Sequence, residues 1–332
     1  MKRLILTNDT SAAGHLKVAG IGDYWIALDR QFVWGRAPSD VALVEFFGAG
    51  KKDGATPHWS DFLPRRILEA IGAAGATFTE FCSRFDAIEL WMSPRPNDQL
   101  QLVCLLHYLR VHPEIASRLS LVQAHISIGN AGSEMLAEWK LPIVKITPDH
   151  FELASRAWRA FAASTPQDWF DLSAMDLILL PRLRHAVIAM LEELPWCRTG
   201  LGATEMRMLD FVWGAEKPRA RKIMRREASN SANIFSYWEL GALLDGLARR
   251  RNRLVSGLRE GPFNMDLHDD PDRRDRYMKS KLALTPLGYA VLAQTDDFAR
   301  HNPINRWWGG TKLTNKRLWR WDQDNKVLVA PK

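Results

Sequence analysis

Between a short apolar run and an alanine-rich stretch near the start of the chain stands Asn8-Asp9-Thr10-Ser11, ahead of Ala12-Ala13-Gly14. If a helix opens here, its first backbone N–H groups and the positive end of its dipole gather at these residues. Small side chains let an anion come close, and the hydroxyls of Thr10 and Ser11 are candidates to bond phosphate oxygens. The motif is not specific, since neither a Walker sequence nor GxGxxG is present, and Asp9 repels a phosphate unless a cation intervenes. The same residues also suit ordinary capping, in which Thr10 or Ser11 satisfies the helix end and Asp9 closes the turn. Asp29 and the pair Asp98-Gln99 are expected at the same edge of a sheet. Convergence of Asp9, Asp29 and Asp98 would suit a Mg²⁺ site or acid–base chemistry. Each is explained equally well alone, as a cap or a loop residue.

A second group of residues is electrostatic. The formal net charge is +7, and the excess is concentrated: from Glu216 to Glu260 there are eleven Lys and Arg against five Asp and Glu. Lys217, Arg219, Arg221, Lys222, Arg225 and Arg226 fall on or beside one expected helix, and Arg249, Arg250, Arg251 and Arg253 close another. A concentrated basic patch points to a polyanionic partner, nucleic acid above all. The middle of the second helix, Phe235 to Leu244, is aromatic and aliphatic, which suits packing better than base readout. Arginines at its end suit phosphate contacts that carry no sequence information. The plainer alternative is a solvated basic surface on a structural or protein-binding element. Further on, Trp307, Trp308, Trp319 and Trp321 are interleaved with Arg306 and Arg320. Such a tail can stack on bases or a planar ligand, but the expectation is a clamp that folds back to fill an inter-domain groove with Trp.

Other chemistries find no support. The nine histidines show no HxH or HExxH spacing, against a zincin-type site, and Ser11 is not in a GxSxG elbow. The three cysteines are widely spaced, suggesting neither a disulfide framework nor a zinc site. They read as small buried hydrophobes. Apolar runs end well short of the ~20 residues a bilayer crossing needs, and the apolar core after Met1-Lys2-Arg3 is shorter than the roughly 7–15 residues of a signal peptide. The cytosol is the expected compartment, with no membrane partner. No residue pattern names a cofactor.

Elements must position these residues. Arg3–Asn8, Tyr24–Leu28, Phe85–Trp91 and Leu119–Ile128 are apolar runs suited to strands, and Ala12–Ala19, Pro64–Ala74 and Gln99–Arg110 read as helices, the last opening after Asn97-Asp98 as caps. Alternation of strand and helix predicts an α/β fold with a Rossmann-like, mostly parallel sheet over residues 1–145. Arg3–Thr7, apolar without period-2 alternation, is expected to be an interior strand. A helical connector follows over 146–200, with helices Phe151–Ala163 and Asp176–Leu194. Residues 201–296 offer three helices (Thr204–Trp213, Pro218–Ala228, Ser236–Arg251). A hairpin of Arg259–Asp266 with Lys281–Leu284 is expected next, around the charged loop Leu267–Ser280. Three helices followed by a hairpin is the order of a winged helix. The Trp/Arg-rich tail occupies 297–332.

Three stretches carry a resemblance. Leu4-Ile5-Leu6-Thr7-Asn8-Asp9-Thr10-Ser11-Ala12-Ala13-Gly14, then Leu90-Trp91 followed by Asn97-Asp98-Gln99-Leu100-Gln101-Leu102, and the Ala-x-x-Ala-Trp-x-x-Phe pattern from Ala154 to Phe161 resemble an uncharacterised bacterial family, the domain of unknown function called eighteen-thirty-five. In that family a second unassigned helical domain commonly follows. Members usually carry Gly-Asp-Ser after the first strand, where this chain has Asn8-Asp9-Thr10-Ser11. They also tend to carry an Asp followed by a Gly-Pro pair, where Asp29 is present but Gly35-Arg36-Ala37-Pro38 splits the pair. The resemblance implies the domain order and no reaction. Three functions stay open: binding of a small anionic or phosphorylated ligand at the sheet edge, nucleic-acid association through the basic segment, and an enzyme acting on a phosphorylated or nucleotide-like substrate through Asp9, Asp29 and Asp98.

Overall fold

Leu4, Ile5 and Leu6 are fully buried, as consecutive apolar residues must be in a strand covered on both faces. In the computed structural model, which describes residues 1–50, 57–230 and 233–331, this run is β1 (Arg3–Thr7). It is followed by α1 (Thr10–Val18) and β2 (Tyr24–Ala27). Three short helices, α2 (Asp40–Phe47), α3 (Arg65–Ala70) and α4 (Phe78–Cys82), precede β3 (Ala87–Met92) and the long α5 (Pro96–Leu109). Then come α6 (Pro113–Ala116), β4 (Leu119–Gln123), α7 (Ile128–Ala131), α8 (Ser133–Glu138), β5 (Val144–Lys145), α9 (Pro148–Ala162) and α10 (Gln167–Asp171).

The five strands form one sheet in the order β2-β1-β3-β4-β5, parallel except for the antiparallel edge strand β5. β1 is therefore interior, as its composition predicts. The chain leaves β1 for β2 on one side and returns to β3 on the other. In open α/β sheets such a reversal leaves a crevice at the carboxyl ends of the two strands.

The chain divides into two compact units, Met1–Phe32 with Arg36–Val187, and Val33–Gly35 with Ile188–Lys332. The boundary expected near residue 145 lies inside the first unit, because α9 packs along α5 as part of the sheet's helical cover: His107 Nδ1 on α5 is 2.9 Å from Ser155 Oγ on α9. The expected helix Asp176–Leu194 is cut down to α11 (Leu183–Glu192), since Pro181 cannot continue a helix that precedes it.

The second unit contains α12 (Ala203–Gly214), α13 (Ala220–Ala228) and α14 (Tyr237–Ala248). A two-residue antiparallel ladder follows, β6 (Val255–Ser256) with β7 (Ala283–Leu284), and Arg219 bridges Lys281 beside it. The expected first hairpin strand, Arg259–Asp266, is not one. Pro262 has no N–H to give a ladder, and α15 (Met265–His268) begins in that stretch. The expected charged loop is also helical: Asp270 caps α16 (Pro271–Lys279), with Pro271 at its first position. After α17 (Pro286–Leu292) and α18 (Phe298–His301), the tail forms β8 (Asn305–Trp308) with β9 (Thr311–Thr314), and β10 (Arg320–Asp322) with β11 (Val327–Val329). It folds back on its own unit. Trp308 and Trp321 are buried, Trp308 Nε1 donates to Met190 O at 2.8 Å, and Arg320 pairs with Asp297 at 2.6 Å.

Candidate functional site

Because β1 and β3 are parallel neighbours, their carboxyl ends deliver Asn8-Asp9 and the segment Ser93–Asp98 to one place. Asn8 Nδ2 donates to Asp98 Oδ1 at 3.0 Å, and the Ser93 N–H donates to Asp98 Oδ2 at 3.1 Å. Gln99 Nε2 donates to Ser93 O at 2.7 Å, and the Ile128 N–H, from beyond β4, donates to Ser93 Oγ at 3.0 Å. Arg95 lies 3.9 Å from Asp9 at the rim. Burial pushes the Asp98 carboxyl up, against the pull of Asn8, Arg95 and Ser93. Thr7 Oγ1, Asn8 Oδ1 and Gln99 Oε1 are buried acceptors without a hydrogen-bond partner among the described residues.

This geometry corrects two expectations. Asp9, rather than Thr10 or Ser11, caps α1: its Oδ1 accepts from the N–H groups of Ser11 (2.6 Å) and Ala12 (3.1 Å). The N–H groups that an anion would need are thus taken by the protein's own carboxylate. Gly129 packs directly on that cap, where a Cβ would stand 2.8 Å from Asp9 Oδ2. Nor do the three carboxylates converge on one ion. Asp98 is sealed under Asn8, while Asp29 is exposed and accepts from Gln31 Nε2 at 3.1 Å. Among the described residues, no three His, Cys, Asp or Glu side chains gather as a metal site. Asn97 and Asp98 are likewise not caps of α5. They lie inside its first turn behind Pro96, which frees Asn97 to brace the chain after β2 by accepting from the Phe32 N–H (2.7 Å) and donating to Arg30 O (2.9 Å).

The open space beside α1 lies over the edge strand. A groove of about 570 Å³ runs the length of α1, from Thr10 past Ala13 and Gly14 to Lys17, with Tyr24, Trp25 and Ala27 of β2 on its floor and α3 as its far wall. The Lys17 ammonium sits 5.8 Å from the Trp25 ring centroid, within cation–π range. Arg66 of α3 adds a second cation. The lining carboxylate, Asp23, is engaged by the Arg3 N–H at 2.7 Å. Of the expected residues only Thr10 lines this groove. Lys17 was legible, since Thr10, Ala13/Gly14 and Lys17 follow the i, i+3/i+4, i+7 stripe of one helix face. Arg66 had no local signal.

In the second unit the basic residues take unequal positions. α13 buries Ala220, Ile223, Met224 and Glu227, and exposes Arg221, Lys222, Arg225 and Arg226 as one face. No carboxylate lies within ion-pair distance of these four among the described residues. Arg226 stands 4.6 Å over the Phe211 ring. Lys217 is exposed just before the helix, and Arg219 beside Lys281 ties its start to the ladder. α14, the helix expected to carry phosphate contacts, buries Leu240, Leu243, Leu244 and Leu247, and only its end bears the exposed Arg249, Arg250, Arg251 and, beyond it, Arg253. No protein-family model matches the chain, and no curated protein is significantly similar to it.

Proposed function

We propose that the first unit binds a small amphipathic anion, with a planar or apolar body and a phosphate or carboxylate group, in the groove over β2. The observation that carries this reading is the pairing of two cations, Lys17 and Arg66, which have no ion-pair partner among the described residues, with the Trp25 ring in a groove of about 570 Å³, a size and lining typical of small-molecule sites. The ring of the ligand lies on Tyr24 and Trp25, and its anion meets Lys17, Arg66 and the Thr10 hydroxyl. Membership of the eighteen-thirty-five family is part of the same proposal and adds no reaction to it. The test is thermal denaturation with nucleoside monophosphates, inorganic phosphate and aromatic carboxylates. A ligand that binds only the folded state stabilises it by about 2.7 kcal/mol at a hundredfold excess over Kd. Combined Lys17→Ala and Arg66→Ala substitution should abolish the shift. A panel of ring-bearing anions that leaves the melting temperature unmoved sinks the reading.

A second reading concerns the other unit. Its three helices with the β6–β7 ladder support a winged-helix-like element. The exposed face of α13, four cations over two turns without an acidic partner among the described residues, supports contact with a nucleic-acid phosphate backbone.

A further inference from the structure

At the opposite edge of the first unit's sheet, a cavity of about 360 Å³ opens where β4 ends beside β5. Its walls are mainly aliphatic, from Leu121, Leu141, Val144, Ile178 and Leu179, and among the described residues no Asp or Glu lines it. Four polar side chains do: Gln123, whose amide nitrogen and oxygen are both buried without a partner among the described residues, His125, His150 and Arg182. His150, only 3 % exposed, is the third residue of α9. Its Nδ1 accepts from the Thr147 N–H at 3.2 Å and lies 2.8 Å from Thr147 Oγ1. A ring nitrogen that accepts a backbone N–H carries no proton, so in the neutral ring the proton is on Nε2. Burial lowers the pKa of this histidine, against a smaller opposing effect of Asp149, which keeps it neutral. No acceptor among the described residues takes the Nε2–H. Arg182 is half-buried, its Nε has no partner and no carboxylate pairs with it among the described residues. The N-terminal end of α9 adds its partial positive charge on the same side.

We propose that this cavity binds a short branched aliphatic carboxylate. The alkyl group packs against Leu121, Leu141, Val144 and Ile178. The carboxylate accepts from the Arg182 guanidinium, whose planar fork matches it, and from His150 Nε2–H. A single small anionic head on an apolar body fits a cavity in which the donors of Gln123, His150 and Arg182 stand beside the aliphatic side chains of Leu121, Leu141, Val144, Ile178 and Leu179. Bare phosphate would leave the aliphatic side chains uncovered, and an alcohol would leave the half-buried Arg182 guanidinium without a counter-charge. No lining residue is shared with the groove over β2, so the two sites stand or fall separately.

The experiment is calorimetric titration of the whole chain with isovalerate, 3-methylbutanol and inorganic phosphate as probes. Isovalerate should bind, and the other two should bind at least tenfold more weakly. Arg182→Gln should weaken isovalerate binding about tenfold to a hundredfold, as loss of a charged hydrogen bond does. Because His150 also holds the start of α9 and its replacement can unfold the helix end, its role is read in the unaltered protein. The ¹⁵N–¹H signal of Nε2 should move on titration with isovalerate and stay in place with 3-methylbutanol. Equal affinity for the alcohol, equal affinity for phosphate, no isovalerate binding at millimolar concentration, or undiminished binding by Arg182→Gln would each overturn the proposal.

Discussion

Glu193 lies at the turn between α11 and α12, sealed from solvent, with Gly202 so close that a Cβ there would stand 2.7 Å from its carbonyl oxygen. Its Oε1 accepts from the Thr204 N–H at 3.0 Å and from Thr204 Oγ1 at 2.6 Å, and Arg207 donates to that hydroxyl at 2.8 Å while pairing with Glu227. These contacts favour the carboxylate, but burial outweighs them and pushes its pKa up to about 7. A carboxyl whose pKa is raised by folding stabilises the fold while it keeps its proton. That contribution is complete below the ordinary value of 4.5 and is lost as pH rises through about 7. With about 1.4 kcal/mol for each pH unit between those values, the loss is up to about 3 kcal/mol. Urea unfolding at pH 5 and pH 8 should therefore show the wild type losing more stability over that interval than Glu193→Gln, which carries no titratable proton. Parallel pH profiles for the two proteins would mean that water or relaxation solvates the carboxylate.

At the scale of the element, α1 depends on one side chain. Asp9 satisfies two of the helix's first N–H groups, and Gly129 leaves it room. Asp9→Ala should cost about 1 kcal/mol, within the range for lost caps, whereas Asp9→Asn, still an acceptor, should cost less. Chemical denaturation of the pair checks this, and an alanine variant as stable as the wild type would remove the cap from the account. The sequence carries the elements unevenly. β1 and β3 are legible because buried runs such as Leu4-Ile5-Leu6 have no other stable place. α16 is not, because it buries little beyond Tyr277 and its pattern resembles a charged loop. The Asp270-Pro271 start was its one local sign. Thr10 and Lys17 share a helix face that spacing alone implies. Arg66, and the meeting of His150 with Arg182, depend on tertiary packing between segments far apart in the chain, which periodicity does not encode.

Charge divides between the two units. Residues 188–332 hold 26 Lys and Arg against 18 Asp and Glu, a net of +8, which leaves −1 for the remainder of the chain. A polyanion is therefore drawn to the second unit and gains nothing electrostatic from the first. Within the second unit, acidic neighbours hold some of the cations: Arg273 and Arg276 pair with Glu260, and Arg207 with Glu227. The face of Arg221, Lys222, Arg225 and Arg226 has no such partner among the described residues. Log affinity for duplex DNA should fall linearly with log salt, by about 0.9 for each phosphate neutralised. Replacing all four with Ala should flatten that slope by up to about 3.6 if each meets one phosphate, weaken binding to every sequence alike, and barely change folding, since solvated charges add little stability. Arg249, Arg250 and Arg251 form a smaller contact, because Arg249 lies against Gly261 and close to Asp245. Their joint replacement by Ala should flatten the slope less than the change on α13. Fluorescence anisotropy with random duplex DNA, single-stranded DNA and RNA across a salt series measures both variants at once. A larger effect from the Arg249 cluster would move the contact to the end of α14. A salt-independent affinity, or none at about 50 mM salt, where phosphate contacts are at their strongest, would refute the nucleic-acid reading.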